Sequence, residues 1–273
     1  MSTGELTVTI LGCGTSAGVP MIGCHCAVCS SDDPRDKRSR CSIVVDYVEA
    51  GADGVGIPRR VLVDTAPELR LQAVANRIDR IDAVVYTHAH ADHIFGLDDV
   101  RRYNTIHNDS IPMYAAADTL ATLQRSFPYA FVPAERLADS LYRPELIPHL
   151  IDGPFTLFGK KWVPIPMLHG RFTVLGFRIG DFAYCTDCNE IPERSLEALL
   201  ADGPLDVLII DALRPRPHPT HLSFEQALAM IERIKPRRAF FTHLSHDMKH
   251  TDIEQILPPH VRVLYDGLKI AVE

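Results

Sequence analysis

Two short stretches of this sequence hold residue types that do chemistry. The first is "THAHADH", residues 87–93. Alternation puts His88 and His90 on one side of an extended segment, and the turn that follows can bring Asp92 and His93 around a second ion. That is the pattern of a two-metal site, because imidazole and carboxylate together suit divalent transition metals. The second is "GCHCAVC", residues 23–29, with Cys24, Cys26 and Cys29 spaced as three quarters of a tetrahedral thiolate site. Soft sulfur ligands favour zinc there. His25 lies between two of the thiols, where a short chain cannot wrap three neighbouring side chains around one ion. Cys41 has a workable spacing and would complete a cysteine-only set. The plain alternative is three reduced cysteines packed in a core.

The elements that must position these residues are strands alternating with short helices. "ELTVTIL", "CSIVVDYV", "RRVLVDT", "DAVVYT", "KWVPIPML", "FTVLGFRI", "FAYCT", "DVLIIDA", "RRAFFT" and "VRVLYDG" are apolar runs bounded by Gly, Pro or Asp and predict strands. "PELRLQAVANRI", "ADTLATLQRSF", "PERSLEALLADG" and "SFEQALAMIERI" carry helical periodicity, the last opened by Ser223 with Glu225 close behind. Five of the strands run into a His or Asp at their carboxyl ends: the histidine cluster, His169, Asp187, Asp211 and His243. Such convergence predicts one site at the rim of a sheet. The chain reads as a single α/β domain over 1–273 in which helices cover sheets, with a zinc knuckle around 24–29.

Composition bounds the function. The 273 residues are 46% hydrophobic, enough for a substantial core, and carry a formal charge of -7. That balance gives no general attraction to nucleic acid, so no stable nucleic-acid partner is expected. No stretch reads as a signal peptide or a membrane span, and the expectation is a cytoplasmic protein without a membrane partner. Seven cysteines in a reducing compartment point to metal ligands or packing residues. "CTDC", Cys185 to Cys188, has redox spacing without the surrounding pattern and reads as packing. "GCGTSAG" lacks the ending of a phosphate loop and reads as a tight turn near the site. His107, His149, His218, His250 and His260 have no supporting pattern and read as surface or capped residues.

His88, His90, Asp92 and His93 match the H-x-H-x-D-H signature, and with His169, Asp187 and His243 following in order the chain resembles the metallo-β-lactamase superfamily. Within it, "LGCGTSAGVPMIGCHCAVC", "THAHADHIFGL", "THLSF" and "THLSHD" resemble the PhnP-type phosphodiesterases, which open phosphoribosyl 1,2-cyclic phosphate. The resemblance implies an αββα sandwich. It implies one metal on His88, His90 and His169, a second on Asp92, His93 and His243, and Asp187 bridging them. It also implies His246 as the fourth zinc ligand beside Cys24, Cys26 and Cys29, in preference to Cys41. Asp92 and His221 become the candidate catalytic residues, His221 as donor to a phosphoryl oxygen or acid to the leaving alkoxide. Asp64 and Asp211 are expected to orient ligand imidazoles. The implied cofactors are two catalytic ions, zinc or manganese with iron also suitable, and one structural zinc.

The implied activity is hydrolysis of a small cyclic phosphate by a metal-activated water, in a possible homodimer. Related branches suggest an alternative, a phosphodiesterase on 2',3'-cyclic nucleotides or RNA ends. A second alternative is a metal-binding scaffold without turnover. Arg171, Arg214 and Arg216 lie near the expected site loops, and residues 107–149 are where specificity would be shaped.

Overall fold

A computed structural model describes residues 6–51, 53–132 and 142–273. The strands are β1 (Leu6–Gly12), β2 (Ser42–Ala50), β3 (Gly56–Val63), β4 (Ala83–Val85), β5 (Ile111–Ala115), β6 (Leu146–Leu150), β7 (Phe155–Leu157), β8 (Lys160–His169), β9 (Phe172–Ile179), β10 (Phe182–Cys185), β11 (Val207–Asp211), β12 (Arg238–Thr242), β13 (Val261–Val263) and β14 (Lys269–Val272). They form two seven-stranded sheets, ordered β14-β1-β2-β3-β4-β5-β6 and β13-β12-β11-β10-β9-β8-β7. In each sheet antiparallel pairings give way to parallel ones, at β3–β4 in the first and β10–β11 in the second. Parallel neighbours need crossovers, and the helices supply most of them.

The helices are α1 (Leu69–Asn76), α2 (Ala91–Ile94), α3 (Arg101–His107), α4 (Ala117–Ser126), α5 (Glu193–Leu200), α6 (Phe224–Ile234) and α7 (His250–Ile256). One core lies between the sheets, where Val8, Ile43, Val61 and Val85 meet Trp162, Phe177, Tyr184 and Ile209. A second fills the outer face of the first sheet under α1, α3 and α4, and a third lies under α5, α6 and α7. Both faces of the central strands are therefore covered, which is why they read as nearly continuous apolar runs. The layers are helix, sheet, sheet, helix, the αββα sandwich that the resemblance implied.

Local chemistry explains the helices well. On α6, Phe224, Ala227, Ile231 and Ile234 recur on one face and are buried. Ser223 caps it in a reciprocal box, but with Gln226 rather than the neighbouring Glu225. Four strands escaped the sequence pattern. β5 and β6 contain Pro112 and Pro148, residues that argue against strands. β6 is an edge strand, and Pro112 precedes the β4 register, which begins at Val84↔Met113. β7 and β14 are too short to show a period. Of the region expected to shape specificity, residues 133–141 lie outside the described residues. Among the described residues no helix is long and apolar enough to cross a membrane.

Candidate active site

Strand ends bring the chemistry together. Asp64 follows β3, the histidine cluster follows β4, and His169, Asp187, Asp211 and His243 end or follow β8, β10, β11 and β12. Three of these turn the chain sharply: Asp64, Asp187 and His243 have φ of 63°, 56° and 59°. Side chains rarely adopt this left-handed conformation, at a cost of about 1–3 kcal/mol each, and such strain gathers at functional sites.

Donor atoms of Asp92, His93, Asp187 and His243 lie within 4.8 Å of one another, all buried. His243 Nε2 is 3.0 Å from Asp187 Oδ1, and His93 Nε2 is 3.2 Å from Asp187 Oδ2 and 3.4 Å from Asp92 Oδ2. Asp187 belongs also to a second group, with His169 and His221. His88 and His90 adjoin it, with ring centroids 4.6 Å apart and 5.9 and 5.0 Å from His169. The structure thus brings together all seven residues assigned to the two ions, in two groups that share Asp187. The trio of His88, His90 and His169 is the looser of the two.

Neighbouring residues set the direction of three of the rings. Asp64 is fully buried and accepts from Thr87 N at 2.8 Å, Thr87 Oγ1 at 2.7 Å and His93 Nδ1 at 2.7 Å. With its hydroxyl proton on Asp64, Thr87 Oγ1 can only accept from His88 Nδ1, 3.0 Å away. His169 Nδ1 donates to the Thr220 carbonyl at 2.8 Å. With Nδ1 so engaged, His88, His93 and His169 have Nε2 left to face an ion, and Nε2 of His88 and His93 and both ring nitrogens of His243 are buried without a hydrogen-bond partner. Asp64 thus fixes the His93 ring through Nδ1. Asp211 does something else: its Oδ2 accepts from Cys188 N at 3.0 Å and from Nδ1 of His221 at 2.7 Å. It holds the candidate acid rather than any of the seven assigned ligands, because β11 ends opposite the turn that carries His221.

Charge supports a cationic occupant. Burial, and then the neighbouring His93, pushes His88 well below its ordinary pKa, and burial lowers His169 too, so both are neutral rings suited to ligation. Burial would lower His243 as well, but Asp187 raises it to about 9. His93 is raised well above its usual range against the same burial by Asp187 and Asp64. The carboxylates draw protons into the site, and divalent ions would satisfy that demand. Orphaned nitrogens, neutral rings and excess carboxylate together fit the implied metals.

The knuckle closes on the far side of the same loop. His246 Nδ1 lies 3.3 Å from Cys24 Sγ, 3.3 Å from Cys26 Sγ and 3.5 Å from Cys29 Sγ. Ligands of a tetrahedral zinc with ordinary bond lengths stand about 3.6 Å apart for sulfur and nitrogen. The Cys29 amide donates to Cys26 Sγ, and this bond leads the effects that lower that thiol to about 6, a thiolate at neutral pH. Cys41 is excluded from the group: it is wholly buried against Gly14 O and Thr242 Oγ1.

Some residues escaped sequence reasoning. Arg38 is 1% exposed and donates to Ser245 O, to Met248 O at 3.0 Å and to Asp36 Oδ1 at 3.3 Å, while Asp36 Oδ1 takes the His250 amide at 2.7 Å. This clamp surrounds the loop between His243 and His250. A charge in "RDKRSR" gives no sign that it will be buried. His250, expected as a surface or capped residue, is buried at the start of α7, its amide on Asp36 and its ring against Tyr265. His218 stands 5.2 Å from the His221 ring. Cys185 and Cys188 are buried in the core under α5 and α6, and burial pushes the Cys185 thiol up to about 12, as suits packing residues. Gly14 bridges Arg40 and Leu244 in the tight turn beside the site.

A family model described as "Beta-lactamase superfamily domain" matches residues 59–244. The solved structure of a new diphosphatase from the PhnP family is similar with a TM-score of 0.86 and 42% identity, covering 98% of this chain and 97% of that one. An octanoyltransferase of Porphyromonas gingivalis is 36% identical over 271 residues, 97% of this chain but 51% of that protein. The chain therefore spans about half the length of that curated relative. Zinc-bound PqqB from Methylobacterium extorquens shares the fold, with a TM-score of 0.71 at 20% identity over 97% of this chain and 99% of that one. With the superfamily model over most of its length and a 42% identical relative matched almost end to end, the chain belongs to the PhnP family of the beta-lactamase superfamily.

Proposed function

We propose that this protein is a metal-dependent phosphodiesterase that opens a small cyclic phosphate of the phosphoribosyl 1,2-cyclic phosphate kind. One observation carries the reading. His221, tied to Asp211 through Nδ1, lies with its donor atom in the same 4.8 Å group as His169 and Asp187. An oriented proton donor therefore stands beside the residues that would hold the ions.

His88, His90 and His169 would hold one divalent ion, Asp92, His93 and His243 the other, with Asp187 shared. Such ions supply an activated water and neutralise charge on phosphoryl oxygens. The chain's own part is positional. Thr87, Asp64 and Thr220 O fix the ligand rings by their Nδ1 protons. His221 presents Nε2 toward the departing sugar oxygen and delivers its proton there, with the buried Asp211 carboxylate on its other nitrogen to balance the ring's charge. Ring strain in a five-membered phosphate assists that departure. Cys24, Cys26, Cys29 and His246 would hold a structural zinc that braces the loop carrying His243.

A second reading, cleavage of a diphosphate linkage, is favoured by the name of the 42% identical relative. Both reactions displace an alkoxide or phosphate from a phosphorus bearing two bridging oxygens, and the same residues serve both. The test is hydrolysis by metal-reconstituted protein of phosphoribosyl 1,2-cyclic phosphate, a 2',3'-cyclic nucleotide, a nucleoside diphosphate sugar and a thioester. Selective turnover of the first supports the proposal. Preference for the diphosphate moves the substrate, and thioester cleavage alone overturns both.

A further inference from the structure

We propose that Arg171 receives a second phosphate on the substrate, so that the β8–β9 hairpin selects small molecules phosphorylated at a position remote from the scissile group. The inference rests on the phosphodiesterase reading and deepens it.

β8 ends at His169 and β9 begins at Phe172, and these two residues are paired across the hairpin. Directly opposed residues of an antiparallel pair point to the same face. Phe172 is therefore locked in register with a candidate metal ligand and points the same way. Its ring meets the His90 ring edge-on at 6.2 Å yet remains 54% exposed. The Arg171 guanidinium lies 5.4 Å above that ring. Its distance from the His90 ring is thus no greater than those two lengths laid end to end.

The turn is fixed to the rest of the site. Gly170 has φ of 62°, its amide donates to Asn189 Oδ1 at 2.5 Å, and a Cβ there would come within 2.9 Å of the Thr220 side chain. Thr220 is the residue whose carbonyl holds His169. The lip and the ligand ring thus share one support.

Polar partners separate Arg171 from the other two arginines near the site loops, an ion pair in one case and a backbone carbonyl in the other. Arg216 is paired with Asp247 at 2.8 Å, and Arg214 donates to Pro217 O at 3.3 Å. Among the described residues Arg171 has no carboxylate or carbonyl partner, only the Phe172 ring. A guanidinium presents a planar fork that matches phosphate in two hydrogen bonds, and stacking on a ring holds that fork ready. The scissile group belongs at the ions. A cation displaced from them by the width of a ring and its neighbour meets a different anionic group of the same small molecule.

The experiment compares ribosyl 1,2-cyclic phosphate with and without its 5-phosphate, on wild type, Arg171→Ala and Arg171→Lys. Wild type is expected to favour the phosphorylated substrate by about tenfold to a hundredfold in kcat/KM. Arg171→Ala should bring that ratio to near one, chiefly through KM, and Arg171→Lys should restore part of it. A wild-type ratio near one, or a ratio unchanged in Arg171→Ala, overturns the proposal. If neither cyclic substrate is turned over, the phosphodiesterase reading has failed. Calorimetric binding of ribose 5-phosphate against ribose then decides about Arg171: a phosphate preference lost in Arg171→Ala supports its role, and equal preference in both proteins refutes it.

Discussion

Asp64→Asn is the sharpest probe of how the site is built. The side chain is fully buried, so the change is felt without screening by water. Asparagine also tolerates the φ of 63° at this position, which isolates the carboxylate from backbone strain. Three donors converge on the native carboxylate: Thr87 N on Oδ1, and Thr87 Oγ1 and His93 Nδ1 on Oδ2. An amide has one oxygen. If it stays on Thr87 N, the NH2 faces His93 Nδ1, where two donors cannot meet. The ring then moves its proton from Nδ1 to Nε2, the atom that points at Asp187 and Asp92. A protonated Nε2 cannot ligate. Loss of such a supporting hydrogen bond typically lowers metal affinity about 10- to 100-fold, which is about 1.4 to 2.8 kcal/mol. Chelator competition on the reconstituted protein measures this directly. One catalytic ion should be released at lower chelator concentration while the knuckle zinc is unaffected. Two catalytic ions bound with wild-type affinity would refute the argument that Asp64 sets the His93 tautomer.

Three further outcomes are expected. In metal-free protein, burial opposes but Asp187 raises His243 to about 9, against 6.5 as its ordinary value. The stability this ring contributes is complete below about 6.5 and is lost as pH rises through about 9, so the Tm of metal-free protein should fall across that window. Metal-loaded protein should show a smaller fall, and identical profiles would show that the ring is not proton-loaded. His221→Gln should lower kcat by about 10²–10⁴ on an alkyl phosphodiester and far less on a p-nitrophenyl ester, whose leaving group needs no proton; equal losses on both would remove His221 from that role. Arg38→Met removes a cation from a buried pair with Asp36 and from the Ser245 and Met248 carbonyls. A loss of about 3–5 kcal/mol is expected in denaturant unfolding, with faster release of the knuckle zinc; a variant as stable as wild type would mean that the clamp is idle.

What the sequence revealed followed from the physics of each feature. Strand ends could be read because parallel, doubly covered strands are long apolar runs, so "DVLII" and "RRAFFT" announce Asp211 and His243 at once. The histidine cluster stood out because its residues are adjacent in the chain. Arrangements across chain distance were not. Nothing in the spacing chose His246 over Cys41; the family resemblance did, and the meeting of the loop after β12 with the knuckle arm puts His246 beside the thiols while Cys41 packs against Thr242. Asp211 was read as orienting a ligand imidazole, without a partner named; its hydrogen bond goes to His221, across residues 212–220. The buried Arg38 and the strands containing Pro112 and Pro148 run against residue preference and are settled by tertiary packing.

The loop after β12 joins the two metal-fitting groups into one device. His243 faces Asp187, and three residues later His246 faces the cysteines. Leu244 between them is pinned to the glycine turn, its amide on Cys13 O at 2.9 Å and its carbonyl taking Thr15 N at 3.1 Å. Ser245 O and Met248 O are held by Arg38. The superfamily match covers residues 59–244, so it includes His243 but stops short of His246, Arg38 and the knuckle. These lie on the arm that precedes β2 and on the loop that the arm clamps. A histidine at φ 59° needs surroundings that enforce its conformation. Here the enforcement comes from outside the matched region: glycine turn, buried guanidinium and cysteine knuckle meet the loop within five residues of the strained histidine. Disturbing the knuckle should therefore loosen His243 before it unfolds either sheet.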